Sequence, residues 1–285
     1  MNRLRYLLLA ALPFFLTACI ETQNVDTFAG LVIVVTDATT KMIDSDRAIC
    51  ANINATITEI ETLPKIGSDN CAGQGKVLDA IAGVNKVLGN YGRALGDISQ
   101  NTFINYDSDV NTLQTILQNL PAAQQPTQDQ IAAVSGLASW VSSLVTREDR
   151  EKAIKDAMVG NNVEMKTNFH KVVALLKQLA MQYSDELDAN AKITKLSLAR
   201  VFHDYGATEP VAVAELSIRL AGNSQDSNDQ KAAIKQYVTS LDAMSKAFDA
   251  ATEKPTAEEL LPDVRDFAKQ AGNVYRSLAK AFPNS

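Results

Sequence analysis

Two histidines, His170 and His203, are the only imidazoles in the chain, and they stand 33 residues apart. Both fall on one expected helix, so a single molecule cannot close them around one metal ion. No His-Glu-x-x-His or Glu-x-x-His occurs, which removes the zinc-protease and di-iron bundle patterns. No Cys-x-x-Cys-His occurs for covalent haem, and no Gly-x-Ser-x-Gly elbow or phosphate-cradling glycine loop is present. Asp107-Ser108-Asp109-Val110-Asn111 has the opening of a calcium loop. Its sixth position is Thr112, where the tight turn needs glycine, and its twelfth is Gln118, where the ion needs a bidentate carboxylate. His203-Asp204-Tyr205 closes a helical pattern, where the macrodipole favours a charged imidazole; this is read as structural. The expectation is no catalytic residue, no metal and no cofactor.

The N-terminus is more informative. Arg3 and Arg5 precede an apolar run, Tyr6 to Ala18, of 13 residues. A lasting membrane span needs roughly 20 apolar residues, and Pro13 interrupts this one. Positive residues, a short apolar core and a small residue before a cut make a secretory signal. Leu16-Thr17-Ala18-Cys19 then resembles the lipobox of a bacterial lipoprotein precursor. An ordinary signal wants a small residue at −3, and Leu16 stands there instead. The resemblance covers residues 1 to about 20. It implies cleavage before Cys19, a thioether-linked diacylglycerol on Cys19 and usually a third acyl chain on the new amino group. One acyl chain holds a protein only marginally, whereas two or three hold it effectively permanently. Ile20, where an Asp would mark inner-membrane retention in enteric-type bacteria, implies the outer membrane.

Removal of residues 1–18 leaves 267 residues with 25 basic and 33 acidic side chains, a formal net charge of −8. A mildly acidic surface argues against nucleic acid or anionic headgroups as the main partner. With Cys19 assigned to lipid, Cys50 and Cys71 form an even pair in an oxidising compartment. A disulfide between them would close a loop of about 20 residues, worth roughly 3 kcal/mol in the chain-entropy model.

The elements that carry these residues read as helices. Phe28 to Val35 is the most apolar mature segment. It is expected to be a central helix continuing through Met42 and Ile43, with a second membrane contact as the alternative. After the break at Thr62 to Asp69, a helix from about Gly73 carries Val77, Ile81, Val84, Leu88, Tyr91 and Leu95 at a 3.6-residue period. Gly89, Gly92 and Gly96 stack on one of its faces. They signal either close approach of a neighbouring helix or a locally bent one. Pro121 to Pro126 reads as a linker, and Thr127 with Gln130 as a capping box. Trp140, the single tryptophan, is expected at the core edge. Phe169, Val172, Leu176, Leu179 and Tyr183 step 3, 4, 3 and 4 residues, the spacing of a coiled coil, within a helix of about 40 residues. Gly206 is expected to follow that helix, Thr208 to cap the next and Pro210 to open it. Gly222 to Asp229 reads as a polar loop, and Thr256 with Glu259 as a second capping box before a final helix.

The sequence therefore predicts an all-α, elongated antiparallel bundle of long helices. Residues 1–18 would be signal, 19–27 the lipidated cysteine and tether, and 28–285 the bundle. A non-catalytic body moored to the envelope by Cys19 and binding a protein partner is the expected role. A membrane-active helical protein is the alternative, drawn from Phe28–Val35 and the glycine-rich helix; an enzyme with an unfamiliar site ranks below it.

Overall fold

The computed structural model describes residues 25–47, 70–96, 110–145, 163–253 and 257–282. Every regular element among them is a helix. They are α1 over 25–47, α2 (Asn70–Gly96), α3 (Val110–Gln118), α4 (Gln128–Val145), α5 (Val163–Tyr205), α6 (Pro210–Glu253) and α7 (Ala257–Ala281). The chain is an all-α, antiparallel bundle. Side-chain pairs fix the directions: Arg93 meets Asp37 at 2.9 Å while Arg47 meets Asp79, so α1 and α2 run opposite ways. Gln130 against Gln178 with Gly136 against Asn168, and Gln74 against Asn190 with Tyr91 against Phe169, set α4 and α2 antiparallel to α5. Lys231 against Asp188 with Phe248 against Phe169, and Gln236 against Gln270 with Asp229 against Lys280, do the same for α5 with α6 and α6 with α7.

The α5 heptads determine where the core sits. Phe169, Val172, Leu176, Leu179 and Tyr183 are fully buried, as their spacing requires. Around Phe169 gather Phe28 of α1, Tyr91 of α2, Phe248 of α6 and, through Phe28, Phe267 of α7. Phe169 and Phe248 stack at 4.0 Å and 20°, and the other ring pairs are tilted at 5.4 to 6.1 Å. Trp140 of α4 closes on Tyr91 at 5.5 Å from a half-buried position, the core edge its sequence position indicates. Six helices thus contribute one ring each to a single cluster.

The glycine face of α2 exists for close approach. A Cβ on Gly92 would lie 2.9 Å from Val32 Cγ1 and 3.3 Å from the Ala29 carbonyl oxygen, and one on Gly89 would lie 3.0 Å from Thr36 Oγ1. α1 therefore packs backbone-close along α2, and the cost in helix propensity is offset by contact. Asn85 Nδ2 donates 2.8 Å to the Thr36 carbonyl in the same seam. α1 itself is more amphipathic than its sequence suggests. Phe28, Val32, Val35 and Met42 are buried, but Val34 is exposed, so the segment flanks the core instead of being surrounded by it. Its helix is already formed at residue 25, within the segment expected to be tether.

Other local signals hold at atomic detail. The Thr127 amide donates to Gln130 Oε1 at 2.9 Å, and the Gln130 amide donates to Thr127 Oγ1 at 3.2 Å, a reciprocal capping box at the start of α4. Gly206 follows Tyr205 directly; a Cβ there would meet the Phe202 carbonyl oxygen at 2.4 Å, so the turn excludes side chains. Thr208 does not cap α6. Its hydroxyl donates back to the Tyr205 carbonyl at 3.3 Å, and the Glu209 carbonyl accepts the first α6 bond from Val213 at 3.0 Å, with Pro210 as the first helical residue. Residues 222–229, expected to loop, are helical within the 44-residue α6. No proline lies among them, and each polar residue lowers helix propensity by less than about 0.7 kcal/mol, with glycine about 1, so the long flanking helices carry the turn through. The second capping box, at Thr256, lies outside the described residues.

The two kinds of glycine predict opposite substitutions. Gly92→Ala should lower stability by about 1–3 kcal/mol through overpacking against α1. Gly272→Ala in α7, where nothing lies within 4 Å of the added carbon, should raise it by about 0.5–1 kcal/mol. Urea unfolding midpoints of the two variants check both signs.

Candidate functional site

Cys19 and Cys50 lie outside the described residues, as do residues 1–18 and the calcium-like Asp107 and Asp109. Cys71 falls in the first turn of α2, and its side chain is not described. Among the described residues no group of His, Cys, Asp and Glu is arranged to hold a metal ion. His170 and His203 sit at distant levels of α5, as their spacing demands. His203 is exposed and bonds through Nδ1 to Asp204 at 2.9 Å, which, with the neighbouring Arg200, holds the Asp204 carboxyl below its usual range.

His170 has company that sequence reasoning missed. Its Nδ1 lies 2.7 Å from Ser245 Oγ and its Nε2 lies 2.8 Å from Asp249 Oδ1, with Lys166 Nζ 3.2 Å from the same carboxylate oxygen. Ser245 and Asp249 are one turn apart on α6, and His170 reaches them from α5. The residue types are those of a serine hydrolase relay: Nε2–H donates to the carboxylate and the serine hydroxyl donates to Nδ1. The surroundings are not. Ser245 stands in the interior of α6, where the backbone amides are committed to helix bonds, so no pair of amide donors faces the position an oxyanion would occupy. The imidazole instead lies edge-on to Phe169 and Phe248 at 6.0 and 5.8 Å, so the trio pins α5 to α6 at the rim of the aromatic cluster.

A second polar group is buried outright. Asp46 is 2% exposed and accepts from Gln74 Nε2 at 2.6 Å, while Gln74 Oε1 accepts from Asn190 Nδ2 at 2.6 Å. These three residues link α1, α2 and α5. Burial pushes the Asp46 carboxyl above its ordinary 3.8, and the dipoles of Tyr183 and Gln74 draw it part of the way back. The Tyr183 hydroxyl stands beside it outside hydrogen-bond geometry, and burial with the adjacent carboxylate holds that phenol well above its usual range.

Between α2, α3 and α4 opens an apolar cleft of about 280 Å³, floored by Gly83, Val87, Leu113 and Val141. A Cβ on Gly83 would collide with Leu113 Cδ1 at 2.3 Å, so that leucine seats against bare backbone. Arg47 at its mouth is matched by Asp79 and, at 3.8 Å, Asp44. Lys86 lines the cleft as well, and its volume lies at the small end of ligand-sized pockets.

The surface shows its strongest departure from a solvated exterior at the far end of the bundle. Beyond Asn190, which still meets Gln74 of α2, α5 and the start of α6 share a small core apart from the main one. Val201, Val213 and Leu216 form a small core of their own, flanked by Leu198, Tyr205 and Ala212. Of eight large apolar side chains exposed among the described residues, four sit on this hairpin: Leu196, Phe202, Val211 and Ile218. Val211 and Ile218 are 78% and 75% exposed and line a shallow depression with Pro210, Ala214 and Glu215.

No family model matches the chain, and no curated protein or solved structure is similar to it.

Two expectations follow from these polar groups. His170→Ala should cost about 0.5–1.5 kcal/mol, because Asp249 keeps Lys166 and its access to water, while neither it nor Ser245→Ala should change the turnover of an activated ester, which stays at the buffer rate in the parent. Asp46, with its raised folded-state value, contributes stability that is fully present below 3.8 and lost as pH rises through the raised value. Asp46→Asn, which keeps an acceptor for Gln74, should flatten that decline in thermal midpoint above pH 4 and be at least as stable as the parent at pH 7.

Proposed function

We propose that this chain is a non-catalytic envelope lipoprotein, moored through lipid on Cys19, whose bundle presents the α5–α6 hairpin as a docking end for protein. The observation that carries the reading is the concentration of exposed apolar side chains on a hairpin at the opposite end from the start of α1. Phe28 lies level with Phe169, and Tyr205 is 36 residues further along α5. At 1.5 Å per residue that is about 54 Å of rise. α1 runs from Val25 toward the hairpin, so the residues just after Cys19 lead into the remote end. Five residues separate Cys19 from Val25, a reach of about 20 Å when extended. Lipid at one end and bare apolar surface at the other is the layout of a standing docking post. Contiguous exposed apolar surface marks interaction sites in soluble bodies.

The membrane-active alternative loses its two supports. Phe28, Val32 and Val35 turn into the core, and Gly89 and Gly92 pack against α1. No helix among the described residues is long and apolar enough to cross a membrane.

A photo-reactive amino acid in place of Ile218, irradiated in intact cells, should yield a discrete adduct. The same group in place of Val163 or Tyr275, both exposed but off the hairpin, should yield none. A ladder of equal products from all three positions, or none from position 218, overturns the docking end.

A further inference from the structure

The apolar cleft between α2, α3 and α4 does not end at Asp79. A second depression of about 330 Å³ adjoins it and shares Asp79, Thr112 and Ile116 as walls. Together they form one trough along α2, from Lys76 to Asn90. Asn90 lies 14 residues after Lys76, about 21 Å of helical rise. The two ends differ in chemistry. From Gly83 onward the floor is aliphatic: Val87 of α2, Leu113 and Ile116 of α3, and Ala138 and Val141 of α4. At the other end stand Lys76, Thr112 and Asn119. Lys76 is exposed, and its ammonium makes no ion pair or hydrogen bond among the described residues. Arg47 and Lys86 add two further cations to the rim. Asp79 is the one acid among the described lining residues, and Arg47 holds it.

We propose that this trough binds a free long-chain fatty acid, with the carboxylate at Lys76 and the chain laid past Gly83 toward Asn90. One acyl chain is about 15 Å long, half the roughly 30 Å hydrocarbon thickness of a bilayer. The trough takes that length and leaves about 6 Å at the Lys76 end for a headgroup. An aliphatic floor removes the chain from water and asks for no polar partner along it. At the head, a carboxylate accepts from several donors at once, and the Lys76 ammonium, the Thr112 hydroxyl and the Asn119 amide supply them. Charge selects among single-chain amphiphiles. One uncommitted ammonium balances one carboxylate. A lysophospholipid with a cationic headgroup would need a free acid, and Asp79 is already taken by Arg47. A fatty alcohol of the same length forfeits the ionic contact. The trough lies on α2, α3 and α4, apart from the α5–α6 hairpin, so the fatty-acid site is independent of what the hairpin docks.

Photolabelling tests it. The full-length chain, purified from membranes in a neutral maltoside detergent, is irradiated with palmitate that carries a diazirine near its methyl end. Labelled peptides are then located by mass spectrometry. Adducts should map to α2 around Val87 and Asn90 and to α4 around Ala138 and Val141. Excess palmitate should suppress them, whereas hexadecanol and lysophosphatidylethanolamine at the same concentration should leave them nearly unchanged. Lys76→Glu should lower the labelling by about tenfold, and Lys76→Arg should retain it. Ala82→Phe sets a ring into the trough from a half-buried position and should abolish labelling while the thermal midpoint stays parental. Should that ring lower the midpoint, Lys76→Glu at its exposed position still decides the matter. Adducts spread evenly along the chain, adducts confined to the hairpin, or labelling that survives a folded Ala82→Phe chain overturn the site. Unchanged labelling in Lys76→Glu, or competition by hexadecanol equal to that by palmitate, overturns carboxylate recognition and the proposal with it. Equal competition by lysophosphatidylethanolamine makes membrane lipid the occupant and overturns the free acid.

Discussion

The stacked pair of Phe169 and Phe248 is the contact the rest of the bundle is arranged around. Two of the longest helices touch there at ring-to-ring distance, and Phe28 and Tyr91 bring α1 and α2 onto the same rings. Edge and offset ring pairs add about 0.5–1.5 kcal/mol each beyond the area they bury. Emptying one such position typically costs about 3–5 kcal/mol, a large part of the margin by which a domain stays folded. The cluster also ties sequence-distant segments together, because residues 28, 91, 169, 248 and 267 meet within one layer. No single helix there can be displaced without uncovering rings from the others.

Polar contacts then specify how the helices sit around that layer. On the hairpin side, Asp46, Gln74 and Asn190 link α1, α2 and α5 through hydrogen bonds of 2.6 Å. At the aromatic layer, Ser245, His170 and Asp249 tie α5 to α6. Only the first of these links is sealed, so a shifted helix would strand the Asp46 carboxylate away from water, whereas His170 and Asp249 stay about a third exposed. Asp46 is the sharpest case: sealed from solvent, it tolerates only a neighbour that donates.

Much of this was readable from residues alone. The 3-4-3-4 steps on α5, the Thr127–Gln130 box and the glycine face of α2 are local signals, and local periodicity determines local packing. What stayed hidden depends on which helices adjoin. Ser245 and Asp249 look like ordinary helix surface until α5 places His170 against them. The polar run 222–229 reads as loop because its composition is that of loops; helical neighbours on both sides outweigh a summed propensity cost. Val211 and Ile218 carry a clear helical period, yet nothing in that period tells that no described helix covers them. The lipobox signal remains one of sequence, since Cys19 precedes the described helices.

The length of α5 and α6 has a mechanical consequence. Each is a continuous rod that begins or ends in the small hairpin core and passes through the aromatic layer. A sideways load on the turn at Gly206 acts through an arm of about 24 Å, the rise from Asn190 to the turn. The fulcrum of that lever is the level where Asn190 meets Gln74 and Lys231 meets Asp188, and shear between the two rods would be felt there before it reached the stacked rings.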